Sequence, residues 1–247
     1  LPARRAGATP VEALDKGYAT DVDALHAAVT DKTRVVFVAN PNNPTGTLSS
    51  RADIARLHAG LPADVLFVLD QAYAEYLEAD EDDAGLALAE TAANVFITRT
   101  FSKIHGLAAE RIAWGYASSE VISALHKIPP PFNVTRCGQE AAIAAIGDDD
   151  FVHRSRAQNA QWRNWLKAEL ESLGNHGVRV VPSATNFLLV LFEGKMTAEA
   201  MNNALMDAGY IVRWLPGQGL PHALRMTIGT EDETRGLAAA IRAALEG

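Results

Sequence analysis

The chain has 247 residues, 48% of them hydrophobic, enough to bury the core of one large or two ordinary domains. Its formal charge of −8, with no Lys/Arg block, excludes nucleic acid or an anionic membrane as the main partner and leaves small anions met by locally placed arginines. No apolar run approaches the roughly 18 residues of a membrane span and no basic-then-apolar leader opens the chain, so neither membrane segment nor signal peptide is predicted.

The opening "LPARRAGATPVEALD" has no initiator Met, which predicts a piece of a longer protein. Three apolar, β-branched runs follow: "RVVFVAN" (Arg34 to Asn40), "DVLFVLD" (Asp64 to Asp70) and "NVFITRT" (Asn94 to Thr100). Their continuous apolarity predicts strands buried on both faces, as in a parallel sheet. Between the first two, "SSRADIARLHAG" has a serine N-cap, Ile54 and Leu57 at helical spacing and Gly60 as a stop, which makes a βαβ unit. The acidic run Glu78 to Gly85 reads as a solvated loop, since its carboxylates lack the alternation of a calcium loop.

After "RIAWGYASSEVISALHK" the proline-rich "IPPPFNV" predicts a domain boundary, dividing the chain into 1–130 and 131–247. Helix resumes near Arg136, is interrupted near Gly147 and runs on through "FVHRSRAQNAQWRNWLKAELESLG". Cys137, in this apolar helical start, is predicted to be a buried small hydrophobe; as the single cysteine it excludes an internal disulfide and fits a reducing, cytoplasmic setting. "VRVVP", "NFLLVLF", a helix in "TAEAMNNALMDAG", "YIVRWL", "LRMTIGT" and a terminal helix then predict a smaller α/β unit with a mixed or antiparallel sheet. The histidines are scattered without metal-ligand spacing, so no metal site is expected.

The polar clusters sit where the three strands end: "NPNNPTGT" after the first, "DQAYAEY" after the second and "TFSK" after the third. In a parallel sheet those ends open onto one crevice. Each cluster has an ordinary reading: "PNNPTG" as a bare turn, Lys103 as a solvated charge. Asp70 is harder to dismiss, because a carboxylate closing "VLFVLD" needs a cation or a hydrogen-bond donor. "GQG" (Gly217 to Gly219) opens no strand-turn-helix unit and is no dinucleotide fingerprint.

An Asn, an Asp, a Tyr and a Lys converging on one crevice is the set that a pyridoxal 5'-phosphate (PLP) site requires. "NPNNPTGT", "DQAY", "RTFSKIHGLAAER" and "LRMTIGT" occur in the order found in fold-type I PLP-dependent aminotransferases, and the chain resembles their histidinol-phosphate branch. The resemblance covers nearly the whole chain and implies part of a large, mainly parallel α/β/α domain followed by a smaller C-terminal α/β domain. It further implies that Lys103 bonds covalently to PLP, that Asp70 pairs with the pyridinium nitrogen, and that Asn43 and Tyr73 contact the ring oxygen. Thr100, Ser102 and Arg111 would bind the cofactor phosphate, Arg225 the carboxylate of the amino donor, and Arg213 a second substrate anion. Histidinol phosphate and glutamate or 2-oxoglutarate are the implied substrates and a homodimer the implied assembly. An aromatic amino acid aminotransferase, a related PLP-dependent decarboxylase of phosphorylated amino acids and a PLP-fold module without turnover are the alternatives. Two departures stand out: Glu110 and Ala113 replace an apolar residue and a glycine expected around Arg111, and the family's upstream phosphate loop and ring-stacking aromatic are not in this sequence.

Overall fold

A computed structural model describes residues 2–78, 84–128 and 132–247. The expected acidic loop and the proposed boundary at 130/131 fall mostly outside these residues. In chain order the first part contains α1 (Pro2–Arg5), α2 (Val22–Ala28), β1 (Val35–Ala39), α3 (Arg51–Ala59), β2 (Leu66–Asp70), α4 (Gly85–Thr91), β3 (Val95–Thr100), β4 (Ala113–Ala117) and α5 (Ser119–Leu125). The second contains α6 (Arg136–Ile146), α7 (Asp149–Glu171), β5 (Val178–Val181), β6 (Phe187–Phe192), α8 (Ala198–Asp207), β7 (Arg213–Leu215), β8 (Leu220–Thr227) and α9 (Glu231–Glu246).

The first sheet has the order β1-β2-β3-β4, with β1, β2 and β3 parallel and β4 antiparallel to β3. Register places Ala39 beside Asp70 and Asp70 beside Thr98, so the three parallel strands end level. Ser50 caps α3 by accepting the Asp53 N–H, Gly60 closes it, and Ile54 and Leu57 are its buried face, as the pattern predicts. The expectation of strands buried on both faces fails at β1. Val38 and Val36 point inward, but Val35 is 41% and Phe37 69% exposed, because β1 is an edge strand whose second face is uncovered in this chain. Strand β4 was not assigned from sequence: Gly115 lets it close against β3, since a Cβ there would run into the Phe96 ring.

The second sheet is antiparallel, in the order β5-β6-β8-β7. Every residue of β6 is buried, and Leu166, Leu170, Leu188, Met201 and Ile241 from sheet and helices form one fully enclosed core, each contributing roughly 2 kcal/mol of burial. Thr230 and Glu233 form a capping box at the start of α9. Cys137 corrects the sequence reading: it is exposed, because α6 turns the small residues Gly138 and Ala142 inward and leaves Cys137 and Ile143 outward.

Helix α7 ties the two parts together. Arg156 Nε donates to the Glu75 carbonyl (2.8 Å), and Arg163 donates to the Thr185 carbonyl (3.1 Å) and to Glu78 Oε1 (3.2 Å). The Arg163 side chain is only 7% exposed. Removing it strips a buried, doubly bonded charge, while Thr185 keeps the Asn159 amide as donor. Arg163→Ala is expected to lower unfolding free energy by about 1–3 kcal/mol, read by chemical denaturation.

Candidate functional site

Three turns leaving the level strand ends build the site. After β1, Gly46 adopts φ +82°, and a Cβ there would meet the Ser183 side chain. Glycine is therefore required twice over, by conformation and by space. Gly46 N–H donates to the Asn42 carbonyl (2.8 Å) and the Gly46 carbonyl accepts from Ala184 N–H (2.8 Å), which fastens the turn to the loop before β6. Asn40 closes the turn's other side through Ser49, accepting from its N–H at 2.7 Å and donating to its carbonyl at 3.1 Å. Asn43 is thereby held at the rim, where its Oδ1 accepts from Arg225 Nη1 at 2.7 Å.

After β2, Asp70 is exposed toward the crevice and accepts the Ala72 N–H at 3.1 Å. The demand that the sequence placed on this carboxylate is met by a backbone donor rather than a cation. Tyr73 is buried, edge-on to Phe187 with ring centroids 5.3 Å apart, and Lys103 Nζ lies 5.2 Å from the Tyr73 ring centre. Tyr76 packs beside it. Burial, followed by the neighbouring Tyr73 and Glu75, pushes the Tyr76 phenol up to about 12.

After β3, Thr100 Oγ1 accepts from Ser102 N–H (3.0 Å), and Arg111 Nη1 donates to Ser102 Oγ (3.3 Å) and to the Ala108 carbonyl (2.8 Å). Arg111 occupies the left-handed region with φ +54°, a conformation that costs a non-glycine residue roughly 1 kcal/mol and is held here by those two side-chain bonds.

The result is one open cavity of about 400 Å³, lined by Asn43, Asp70, Tyr73, Thr100, Ser102, Lys103 and Arg111 together with Pro41, Thr98 and Arg99. Arg99 was not singled out in the sequence. It pairs with Glu75 at 3.4 Å and lies 5.7 Å from the Trp114 ring centre, contacts that no local pattern announces. Arg225 joins the rim through Asn43 and stacks its guanidinium 4.9 Å from the Phe187 ring centre. Desolvation lowers its pKa; Tyr73 opposes this and Arg213 adds to it. Among the described residues, the buried Arg225 Nε has no acceptor. Arg213 does not line the cavity; it is exposed and lies directly across from Arg225 in the β7–β8 register.

The donor set fits PLP: a carboxylate, a phenol, an amide and a lysine amine suited to the ring, and an arginine with two hydroxyls suited to the phosphate. Among the described residues no cluster of three His, Cys, Asp or Glu could hold a metal ion, and no helix is long and apolar enough to cross a membrane.

The family model for aminotransferase class I and II matches residues 3–241. The histidinol-phosphate aminotransferase of Sphingopyxis alaskensis is 76% identical over 247 residues, which is 100% of this chain and 67% of that one. That of Zymomonas mobilis is 58% identical over 238 residues, 96% of this chain and 64% of that one. The crystal structure of histidinol-phosphate aminotransferase from Sinorhizobium meliloti in complex with pyridoxal-5'-phosphate superposes with a TM-score of 0.82 at 30% identity, over 92% of this chain and 61% of that chain. The chain thus spans about two thirds of the length of these relatives.

The buried Tyr76 phenol beside this cavity generates a pH test. A folded-state pKa raised from 10.0 to about 12 means that its stabilisation is complete below pH 10 and is lost as pH rises towards 12. Unfolding free energy should fall by about 2 kcal/mol across that window, and Tyr76→Phe should remove this part of the slope. Denaturation curves of both proteins between pH 9 and about 12 check it.

Proposed function

The chain belongs to the class I and II aminotransferase family, and on that premise we propose that it moves an amino group between histidinol phosphate and 2-oxoglutarate, with PLP as cofactor. The observation that carries the reading is the gathering of Asn43, Asp70, Tyr73, Lys103, Ser102 and Arg111 around one cavity. When bound, PLP supplies an electron sink for the charge that develops at the substrate Cα.

Lys103 would be the covalent anchor for the cofactor and the base that holds and moves the Cα proton. Asp70 would keep the ring nitrogen protonated. Asn43 and Tyr73 would donate to the ring oxygen, and Arg111 with Ser102 and Thr100 would hold the phosphate dianion. In this reading the left-handed backbone of Arg111 is part of the site, since it aims the guanidinium back toward Ser102.

Substrate recognition falls to the second sheet. Arg225 has one Nη committed to Asn43 and a guanidinium that is only partly buried, so a carboxylate arriving at the rim meets a cation with donor capacity to spare. Arg213 faces Arg225 across the strand pair, an arrangement that like charges disfavour by up to about 1 kcal/mol and that an anion between them relieves. A doubly charged phosphate gains from both cations; a carboxylate needs mainly one. The proposal includes the division into 1–130 and 131–247, a homodimer and a cytoplasmic setting, each supported by the shared family rather than by a contact in this chain.

Single half-reactions of the PLP-loaded enzyme, followed by visible absorbance, test the reading. Histidinol phosphate should react with a kcat/KM well above that of phenylalanine; the reverse order would make this an aromatic amino acid aminotransferase. Arg213→Ala should lower kcat/KM for histidinol phosphate by about 10- to 100-fold and spare phenylalanine, whereas Arg225→Ala should damage glutamate. Lys103→Ala should abolish turnover, and Asp70→Asn should slow proton transfer on the order of 10²-fold with little change in substrate binding.

A further inference from the structure

Phe187, the first residue of β6, looks in sequence like one more core side chain of "NFLLVLF", and it is 2% exposed. Its surroundings are not those of an ordinary core residue. One contact is the Arg225 guanidinium, whose central carbon lies 4.9 Å from the ring centre. Another is Tyr73, which meets it at 86°. The backbone under Phe187 is pinned: its N–H donates to Thr185 Oγ1 (3.3 Å), and its carbonyl accepts from Ser183 Oγ (2.6 Å) and Thr185 Oγ1 (3.2 Å). The ring is therefore a fixed platform.

We infer that Phe187 is a positioning residue for anion recognition: its π face holds the Arg225 guanidinium in a fixed plane beside Asn43 at the rim of the crevice. This rests on the reading of Arg225 as the carboxylate-binding residue. Three constraints together fix a planar cation: the ring under the guanidinium, the Asn43 Oδ1 on one Nη1 and the strand pairing of its backbone. Without the ring, Arg225 retains one in-plane hydrogen bond and can swivel about it. The ring also offsets what Arg225 lacks. This arginine is partly desolvated and stands opposite Arg213, so the negative face of an aromatic ring is a source of compensating potential that aliphatic packing cannot supply. Tyr73 is held independently by its contact with Tyr76, so loss of the Phe187 ring should act on Arg225 more than on the Lys103 side of the cavity.

The test measures binding of maleate, a dicarboxylate without an amine, to the PLP-loaded enzyme by calorimetry, beside KM and kcat for glutamate. Phe187→Leu is expected to bind maleate about 3- to 30-fold more weakly and to raise KM for glutamate by a similar factor, with kcat within about two-fold. Leu191→Val, a buried trim further along the same strand, is the stability control and should leave maleate binding at the wild-type level. If Phe187→Leu does not fold, Phe187→Met removes the ring with an unbranched side chain and carries the same expectation. Wild-type maleate affinity in the ring-less variant, or an equal loss in Leu191→Val, would reduce Phe187 to a core residue and overturn the inference. Unchanged maleate binding in Arg225→Ala would instead overturn the underlying reading of Arg225, so the two failures are told apart.

Discussion

Parallel register is the constraint on which the rest of the site depends. Because Ala39, Asp70 and Thr98 lie in one row, the three turns that follow their strands leave the sheet at the same height. A slip of one residue in β2 would move Asp70 to the opposite face and take Tyr73 with it. Hydrophobic packing of Phe67, Leu69, Val95 and Ile97 against α3 and its neighbours fixes that register, so the placement of the polar groups is set by residues that never touch a ligand. The polar groups contribute little to holding themselves there. Asp70 relies on one backbone N–H, and Arg111 adopts a backbone conformation it would not choose alone.

The second dependence is on the seam between the sheets. Three contacts cross it near the cavity: Gly46 to Ala184 through the backbone, Asn43 to Arg225, and Tyr73 to Phe187. They differ in kind, being a main-chain hydrogen bond, a charge-assisted one and an aromatic contact. All three involve the turns that carry the site, so the arrangement of the cavity and the seating of the second sheet are one packing problem. Helix α7 reinforces the same seam from behind, through Arg156 and Arg163.

Much of this was legible in the residues. The three strand runs, the α3 cap and stop, the break at Gly147 and the polar clusters at strand ends all follow from local pattern, because each is decided by neighbours within a turn or two. What was not legible depended on partners distant in the chain. An apolar β1 says that both faces could be buried, not that both are. The inward side of α6 was chosen by close approach, which favours Gly138 and Ala142 over the larger Cys137 and Ile143 and runs against hydrophobicity. Arg99 and Phe187 were passed over for one reason: a charged or aromatic residue in a strand shows its use only when the group across from it is known.

Arg213 sits on β7, at the far side of β8 from β6, exposed and outside the cavity lined by Lys103 and Asp70. Its backbone position is set by antiparallel pairing with β8 and not by the register of the parallel sheet. If Arg213 reads the substrate anion as proposed, changes at this strand would retune which anion is preferred while Lys103 and Asp70 remain under the strict geometry of β1 to β3. On that proposal selectivity and reactivity are separable traits in this architecture, and a lineage would change its diet without rebuilding its chemistry.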